Sequence, residues 1–437
     1  MRRLFPVLCA YLLILMGGQG MPVGAQEDEP VTVTVDASAI VGTISPYVLG
    51  VNHGPWSEVS LQMQENAQQI NTPFLRYPGG NWGDQFNLTE AQIDLYMLQA
   101  QMWDAVPSIH VRLEGGTPEQ AAALVRYANI EKGYDVRHWY IGNEPNLFDD
   151  YTIEQFNQDW RVFAEAMLAV DPDLILIGPE VSQFPDTTSP NDPNATLNDV
   201  WLRQFLEVNG DLVDIVGVHR YPFPLSFAGE PTSLSAMREN VPRWQTVVQN
   251  MRDTIDDVLG EPLPVALTEV NSHWSNSGGS IASPDSYYNA VWWSGVLTTL
   301  IHEEVDIITY FMFSTVGANG PFGLLDRYEP RPTYYTYRLY SEIGDNRLQS
   351  TSSDDYITAL ATQDSASGQV ALIVTNLYEE DRAVQIDVSD LDLAAVNTMH
   401  ILTPELMAEP VPASDYLTDN TLTLPAQSVV LLLFGDV

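Results

Sequence analysis

The sequence predicts an α/β fold, namely a (β/α)8 TIM barrel followed by a small C-terminal β-sandwich. Eight short apolar runs recur along the chain, each ending in polar or glycine residues, and helical patterns lie between them. Near-continuous apolar runs are typical of parallel strands that are buried on both faces. After about Ile343, strand-like runs follow one another without a long helix. A strand and helix that alternate eight times favour a barrel.

The eight runs define a barrel over residues 45–343. A doubly wound open sheet is the competing fold, and it is disfavoured because no glycine-rich phosphate loop follows the first run. Between the runs, Thr117 and Thr152 each precede a glutamine by three positions, which predicts a capped helix start at both places. The runs are Tyr47–Gly54, Phe74–Gly80, Ser108–Leu113, His138–Glu144, Leu174–Glu180, Asp214–Tyr221, Val265–Asn271 and Asp306–Phe313.

Residues 344–437 are predicted to form the β-sandwich, with residues 26–44 as an N-terminal segment that adds a strand to it. Val31–Val35 alternates polar and apolar residues, as a strand with one buried face does. We expect this sandwich to brace the barrel. Its other predicted strands are Tyr356–Thr362, Gln369–Asn376, Ala383–Val388, Met399–Leu402, Thr421–Leu424 and Ser428–Phe434.

Residues 1–25 have the pattern of a secretory signal peptide. Arg2 and Arg3 precede an apolar run, and small residues end the segment at Ala25. A short membrane anchor is the alternative interpretation. Cys9 is the single cysteine and lies in this segment, so the mature chain would contain no disulfide. We therefore expect a secreted or extracytoplasmic protein without a membrane span in its mature chain.

The chain is strongly acidic, with 58 acidic and 18 basic residues and a formal net charge of −40. Such a surface repels nucleic acids and anionic membranes, so no nucleic-acid partner is expected. The acidic residues are spread along the chain, which points to solubility as the reason for the charge. A polyanionic substrate is also disfavoured unless the cleft is locally basic.

Glutamates end four of the barrel runs, where the active sites of barrels form. Two carboxyl groups that face one cleft can act as proton donor and as nucleophile or base, the basis of glycoside hydrolysis. Each could equally be a structural carboxylate. Asn143 and Pro145 single out the glutamate between them, because the amide can bind a sugar hydroxyl and the proline fixes the turn. The four are Glu114, Glu144, Glu180 and Glu269.

Two segments resemble a known clan of enzymes. Gly142-Asn143-Glu144-Pro145 at the end of the fourth run and Thr268-Glu269 at the end of the seventh resemble the (β/α)8 retaining glycoside hydrolases that carry glutamates on strands four and seven. The resemblance covers the whole barrel. It implies that Glu144 is the general acid/base and that Glu269 is the nucleophile.

The second run ends in Leu75-Arg76-Tyr77-Pro78-Gly79-Gly80-Asn81, which is similar to α-L-arabinofuranosidases and to related β-xylosidase- and β-glucuronidase-like families. The resemblance implies that Arg76 hydrogen-bonds the nucleophile, and a structural ion pair is the alternative. It also implies that Tyr221 contacts the nucleophile and His219 the substrate. Glu180 is expected to support the site.

Aromatic and amide side chains near the strand ends are candidates for sugar binding, and they are Asn52, Trp56, Trp82 and Trp274. One position departs from the clan. Many of its members carry a tryptophan at the end of strand eight, where this chain has Tyr310-Phe311-Met312-Phe313-Ser314. Either Phe313 substitutes for it or the sugar lies differently.

These observations predict an exported retaining glycoside hydrolase that cleaves plant-type or related polysaccharides or oligosaccharides by double displacement. No cofactor is expected, and the seven histidines show no spacing typical of metal ligands. No Gly-x-Ser-x-Gly elbow or P-loop is present. The alternatives are a catalytically inactive carbohydrate-binding protein, an interaction protein and an endo-acting glycanase. Arabinofuranosides and xylosides are favoured over glucuronides and glucosides, and the oligomeric state stays open.

Overall fold

The structure is a computed structural model that describes residues 30–187, 195–224, 231–275, 279–315, 320–396 and 398–434. The fold below is that of the unit Val31–Val437. The expected signal peptide, residues 1–25, lies outside the described residues. Within the described ranges, no helix combines the length and the apolar character needed to cross a bilayer.

Strand β1 (Val31–Thr43) opens the described chain and belongs to the C-terminal sheet. The next eight strands close into a parallel barrel in chain order, which confirms the predicted TIM barrel. Seven of the eight strands end earlier than the predicted apolar runs, and Glu144 lies three residues beyond the end of its strand. The barrel strands are β2 (Tyr47–Asn52), β3 (Phe74–Tyr77), β4 (Val106–Val111), β5 (His138–Ile141), β6 (Ile175–Val181), β7 (Ile215–Arg220), β8 (Val265–Val270) and β9 (Ile307–Tyr310).

Helices connect these strands and cover the barrel. Both predicted capping boxes are present. The side-chain hydroxyl oxygens of Thr117 and Thr152 each accept a hydrogen bond from the backbone N–H of the glutamine three positions on, and the side-chain oxygen of that glutamine accepts one from the backbone N–H of the threonine. The helices are α1 (Gln64–Gln69), α2 (Trp82–Gln85), α3 (Glu90–Met102), α4 (Pro118–Val125), α5 (Ile153–Leu168), α6 (Arg203–Asn209), α7 (Leu234–Asn240), α8 (Arg243–Leu259), α9 (Tyr287–His302) and α10 (Pro332–Tyr340).

The interior of the barrel changes from apolar to charged along the strands. Phe74, Ile215 and Ala266 belong to a buried apolar cluster. Two residues beyond Phe74 in β3 comes Arg76, which shares its face because side chains alternate along a strand. Strand β8 has a register irregularity between Leu267 and Val270, and such bulges re-aim side chains at barrel rims. The charged groups are therefore held at the carboxyl ends of the strands.

The remaining strands form one ten-stranded mixed sheet, in the order β15-β14-β18-β12-β11-β10-β1-β13-β17-β16. Strand β1 lies between β10, which is antiparallel to it, and β13, which is parallel. The strands are β10 (Asn346–Ser352), β11 (Ile357–Gln363), β12 (Val370–Asn376), β13 (Arg382–Ser389), β14 (Thr398–Leu402), β15 (Met407–Pro412), β16 (Leu417–Thr418), β17 (Thr421–Leu424) and β18 (Ser428–Phe434).

This sheet has two buried faces, consistent with the predicted sandwich. One face forms a core of its own, in which Met399 from one end of the strand order and Leu422 from the other end share a cluster. Ile373 on the opposite face belongs to the core that includes the barrel helices. Ser294 in α9 and Thr375 in β12 hydrogen-bond across this contact, with 2.7 Å between their hydroxyl oxygens. The sheet is thus packed directly against the barrel.

Candidate active site

A cavity of about 900 Å³ opens at the carboxyl ends of the barrel strands, and both Glu144 and Glu269 line it. Glu269 is 5% exposed, and the side chain of Glu144 is 12% exposed. One carboxylate oxygen of each residue and a ring nitrogen of His219 all lie within 4.8 Å of one another. Glu114, the candidate that ends the third run, is solvent-exposed and is not among the described residues that line the cavity.

Three donors hold the carboxylate of Glu269. Arg76 Nη1 donates to Oε2 over 3.0 Å, and the backbone N–H of Gly80 donates to the same oxygen over 3.2 Å. The hydroxyl of Tyr221 donates to Oε1 over 2.6 Å. The structure therefore brings Arg76 and Tyr221 to the position that the resemblance implied.

Arg76 joins the site residues into one buried network. Its guanidinium is fully buried, and Nη1 also donates to Asn52 Oδ1 over 2.9 Å. The other amino group, Nη2, donates to Asn143 Oδ1 over 2.9 Å and to Glu180 Oε2 over 2.8 Å. Glu180 Oε1 in turn accepts from Thr268 Oγ1 over 2.7 Å. A guanidinium can bridge several acceptors in this way because its N–H donors are fixed in one plane.

His219 lies between the carboxylates. Its Nδ1 is 3.2 Å from Glu144 Oε1 and 3.8 Å from Glu269 Oε2, and its Nε2 is 3.1 Å from Glu180 Oε2. Burial opposes the charge on the ring, but the carboxylates of Glu269, Glu144 and Glu180 outweigh it and raise the pKa of His219 to about 9. The ring is therefore an imidazolium at neutral pH. Because it is fully buried, His219 meets the carboxylates and does not open onto the cavity as the expected substrate contact.

Glu180 is a buried anion beneath the two cavity carboxylates. Burial opposes its charge, but Arg76 and His219 outweigh that effect, so that the pKa of Glu180 falls below its usual range. Both Glu144 and Glu180 have left-handed backbone, with φ of 51° and 59°. Left-handed backbone outside glycine is strained and often found at functional sites. The backbone N–H of Glu144 donates to the Glu180 carbonyl over 2.9 Å, which ties the two strand ends together.

Asp84 is a site residue that the sequence analysis missed. It is 3% exposed, and its Oδ2 accepts from the backbone N–H of Asn143 over 2.6 Å. Its Oδ1 accepts from the backbone N–H of Leu113 over 2.8 Å. Asp84 thereby fixes the loop that carries Glu144. The sequence offers one indication of this role, namely that Asp84 comes shortly after the second run, which contains Arg76.

Of the three tryptophans expected to bind sugar, one is among the described residues that line the cavity. Trp274 lines it, and its Nε1 donates to the Pro224 carbonyl over 3.0 Å. Trp82 is not among the described lining residues, since its ring packs against Phe86 with 5.2 Å between centroids. Trp56 likewise lies outside that set and packs 5.9 Å from Phe311.

Two further expectations need correction. Asn52 is fully buried, donates to the Thr268 carbonyl and accepts from Arg76. It is not among the described residues that line the cavity. Phe313, one of the two alternatives considered for the missing tryptophan, is fully buried and packs 4.9 Å from Trp103. Phe311 lines the cavity instead, with its ring 6.2 Å from that of Tyr221.

Glu144, His219 and Glu269 are also close enough to hold a divalent cation. A histidine ligand must first lose its proton, and the raised pKa of His219 opposes that loss. The Arg76 guanidinium, 3.0 Å from Glu269, would repel a cation at the same oxygen. The charges of this donor set therefore disfavour metal binding.

The chain has relatives among curated proteins and solved structures. It is 25% identical over 267 residues to a β-xylosidase of Caldicellulosiruptor saccharolyticus, covering 55% of this chain and 49% of the relative. A β-xylosidase of Geobacillus stearothermophilus is 25% identical over 270 residues, covering 56% and 48%. The chain thus spans about half the length of the curated relatives it matches.

Solved structures share the fold. An α-L-arabinofuranosidase of Thermotoga maritima in complex with arabinose has a TM-score of 0.69 at 17% identity, covering 92% of this chain and 99% of that one. A family 44 xyloglucanase of Paenibacillus polymyxa has a TM-score of 0.70 at 15% identity, covering 93% and 100%. At these identities the likeness extends to the fold alone.

The family assignment comes from the sequence match. Residues 126–386 match glycosyl hydrolases family 39, and this stretch takes up more than half of the chain. It contains Glu144, Glu180, His219, Tyr221 and Glu269, the residues that meet around the cavity. The protein therefore belongs to glycosyl hydrolases family 39.

Proposed function

We propose that this protein is an exported, retaining glycoside hydrolase in which Glu269 is the nucleophile and Glu144 the general acid/base. One observation carries the proposal, namely that a carboxylate oxygen of each residue lies within 4.8 Å of the other at one cavity. Carboxyl groups of retaining enzymes are about 5–5.5 Å apart, whereas those of inverting enzymes are about 6.5–9.5 Å apart. The separation supports direct attack over a mechanism that places water between the sugar and the base.

In the first step, a carboxylate oxygen of Glu269 attacks the anomeric carbon. Glu144 gives its proton to the glycosidic oxygen as the bond from that oxygen to the anomeric carbon breaks. The products are the free leaving alcohol, a glycosyl ester on Glu269 and a carboxylate on Glu144. Arg76 and Tyr221 support this division, because their hydrogen bonds hold the carboxylate of Glu269 in place in the cavity.

In the second step, Glu144 takes a proton from water as the water oxygen attacks the anomeric carbon. The ester bond breaks and Glu269 leaves as a carboxylate, so two inversions give net retention. The imidazolium of His219, 3.2 Å from Glu144 and 3.8 Å from Glu269, provides positive charge beside both groups in each step. Such preorganised charge stabilises transition states in sites that exclude water.

The proposed substrates are pentosides, with β-xylosides first and α-L-arabinofuranosides second. Family membership and two β-xylosidase relatives support the first choice, and a probable α-L-arabinofuranosidase C of Aspergillus niger, 25% identical over 154 residues, supports the second. Export is proposed from the leader sequence at residues 1–25.

A panel of nitrophenyl glycosides tests the function, with proton NMR of the first-formed sugar. We expect hydrolysis of the β-xyloside or the α-arabinofuranoside and release of the anomer that matches the substrate. The opposite anomer would overturn the nucleophile role of Glu269. Sugar binding without hydrolysis of any panel member would indicate a carbohydrate-binding protein instead.

The Glu144→Gln variant distinguishes the proposed role of Glu144 from that of Glu269. An activated aryl leaving group departs with little protonation, so this variant should lose far more activity on an alkyl or sugar leaving group than on nitrophenyl glycosides. Glu269→Gln should lose activity on both kinds of substrate. An equal loss on both in Glu144→Gln would contradict the acid role.

A further inference from the structure

The chain between β3 and α3 contacts both the nucleophile and the turn that carries the acid/base. Its residues 80–84 are here called the bridging segment. At one end of this segment, the backbone N–H of Gly80 donates to Glu269 Oε2 over 3.2 Å. At the other end, Asp84 Oδ2 accepts from the backbone N–H of Asn143 over 2.6 Å, and Asn143 immediately precedes the acid/base. One short segment therefore connects the supports of the two proposed catalytic carboxylates.

The turn that carries Glu144 needs support from outside itself. Gly142 and Glu144, on either side of Asn143, have positive φ of 80° and 51°. Left-handed backbone at a residue other than glycine is strained and persists only where the surrounding structure holds it. Two hydrogen bonds do so, one from the Asn143 N–H to Asp84 Oδ2 and one from the Glu144 N–H to the Glu180 carbonyl over 2.9 Å. Of these two acceptors, the Asp84 carboxylate is the one that a side-chain substitution can remove.

Both carboxylate oxygens of Asp84 are used as acceptors. Oδ1 accepts from the backbone N–H of Leu113 over 2.8 Å and from that of Glu114 over 3.2 Å, just after β4. Oδ2 accepts from the backbone N–H of Asn143, just after β5. An asparagine side chain has one acceptor oxygen, and its amino group would face an N–H donor at the other position. Asparagine, which has nearly the same size, therefore cannot hold both strand ends as Asp84 does.

The bridging segment is packed tightly against its neighbours. Most of it lies in the short helix Trp82–Gln85, and a side chain at Gly83 would collide with the His110 ring on β4. Asn81 Oδ1 accepts from Asn143 Nδ2 over 2.9 Å. The segment therefore holds Asn143 by its side chain as well as by its backbone, so the position of the turn depends on that of the segment.

We propose that Asp84 is a positioning residue for Glu144, which keeps the acid/base at the distance from Glu269 that double displacement needs. This inference rests on the proposed glycosidase function. A misplacement of about 1 Å can cost about 100-fold in rate. Loss of Asp84 therefore weakens proton transfer from Glu144 to the leaving group. Attack by Glu269 continues, because Arg76 and Tyr221 still hold that carboxylate.

The leaving-group dependence of Asp84→Asn tests the proposal, measured on the phenyl and dinitrophenyl glycosides of the preferred pentose. A dinitrophenyl group departs with little protonation, whereas a phenyl group depends more strongly on the general acid. We expect kcat/KM to fall about ten-fold or more on the phenyl glycoside and less than about three-fold on the dinitrophenyl glycoside. A variant that only lost stability would lower both activities by the same factor. Equal factors on both substrates, or a loss on neither, would overturn the proposal.

Asp306→Asn is the matched control. Asp306 also accepts from a backbone N–H, that of Val265 over 3.2 Å, but this contact lies at the amino ends of the barrel strands. The ratio of the two activities should change by less than about two-fold in this variant. A change in the ratio as large as that in Asp84→Asn would overturn the assignment of the effect to the turn that carries Glu144.

A double variant tests whether Asp84 acts through Glu144. Residues that serve one step give losses that are not additive. When Glu144→Gln is already present, Asp84→Asn should therefore cost less than about two-fold more on the phenyl glycoside. A further loss equal to that of Asp84→Asn alone would show that Asp84 acts independently of Glu144 and would contradict the positioning role.

Crystal structures distinguish a failure of this proposal from a failure of the proposed function. If the wild-type protein hydrolyses no glycoside, the proposed function fails, and the structure of Asp84→Asn still tests the position of the turn. We expect the Glu144 carboxylate to move by about 1 Å or more, with Glu269 in place. A Glu144 that stays where it is would overturn the proposal. If Asp84→Asn does not fold, Asp84→Glu, which keeps both acceptor oxygens on a longer side chain, replaces it with the same expected results.

Discussion

Arg76 and Glu180 form an ion pair that solvent does not reach. Nη2 of the arginine lies 2.8 Å from Oε2 of the glutamate, and both side chains have zero exposure. Because Arg76 also holds Glu269 and Glu180 also holds His219, this pair lies beneath both proposed catalytic carboxylates. Removal of one partner from a buried pair leaves an uncompensated charge, which is strongly destabilising.

Glu180→Gln should therefore lower the free energy of unfolding by about 3 kcal/mol or more. Denaturant unfolding measures the change. Asp211→Asn is the matched control. Arg161 and Asp211 also form an ion pair at 2.8 Å, but the side chain of Asp211 is 63% exposed. This variant should lower the free energy of unfolding by less than about 1 kcal/mol. Equal losses of unfolding free energy in the two variants would show that the buried ion pair contributes no more to stability than the exposed one.

Tyr221→Phe removes the 2.6 Å hydrogen bond to Glu269 Oε1. We expect kcat/KM to fall about 10- to 100-fold, because a hydrogen bond to a charged group contributes about 1.5–3 kcal/mol. Steady-state kinetics on aryl glycosides measure the loss. Tyr337→Phe removes a buried hydroxyl bonded to the Gly50 carbonyl over 3.0 Å, away from the cavity, and should leave kcat/KM unchanged. Loss of activity in both variants would point to general destabilisation.

His219 should make stability depend on pH. Its pKa rises from an ordinary 6.5 to about 9 in the folded protein, so its contribution is fully present below about pH 6.5 and is lost as the pH rises through about 9. The contribution is at most about 3 kcal/mol. Unfolding free energies of the wild type and of His219→Asn should converge between these pH values. A constant difference across that range would mean that the ring is neutral in the fold.

The sheet and the barrel should unfold together. Ile373 in β12 is fully buried in the core that includes the barrel helices, so Ile373→Ala should cost about 2–5 kcal/mol. All ten tryptophans lie before residue 294, which makes tryptophan fluorescence a probe of the barrel. We expect the fluorescence and circular dichroism transitions to shift together in this variant. A fluorescence transition that stays in place would show that the sheet unfolds independently.

Much of the fold followed from the sequence, because parallel strands buried on both faces leave a clear apolar pattern. The same pattern located Glu144 and Glu269, since the carboxyl ends of parallel barrel strands meet at one rim. Seven of the eight predicted runs extended past the true strand ends. A polar residue such as Asn143 can follow an apolar run directly in sequence without taking part in the hydrogen bonds of the strand.

Side-chain direction was the part that the sequence did not determine. Phe311 and Phe313 are two residues apart, and only the path of the chain after β9 decides which of them lines the cavity. Asn52 has an amide side chain of the kind that binds sugar hydroxyls, yet its Oδ1 accepts a hydrogen bond from Arg76. Asp84 gave no motif, because its role arises from contacts between distant segments.

Covalent labelling tests the central claim most directly. A slow fluorinated aryl glycoside of the preferred sugar should leave its glycosyl group on the nucleophile, and mass spectrometry of the digested protein locates it. We predict one glycosyl group on Glu269 in the wild type. Labelling of Glu144, Glu180 or another residue, or turnover of the reagent with inversion and no adduct, would contradict the account.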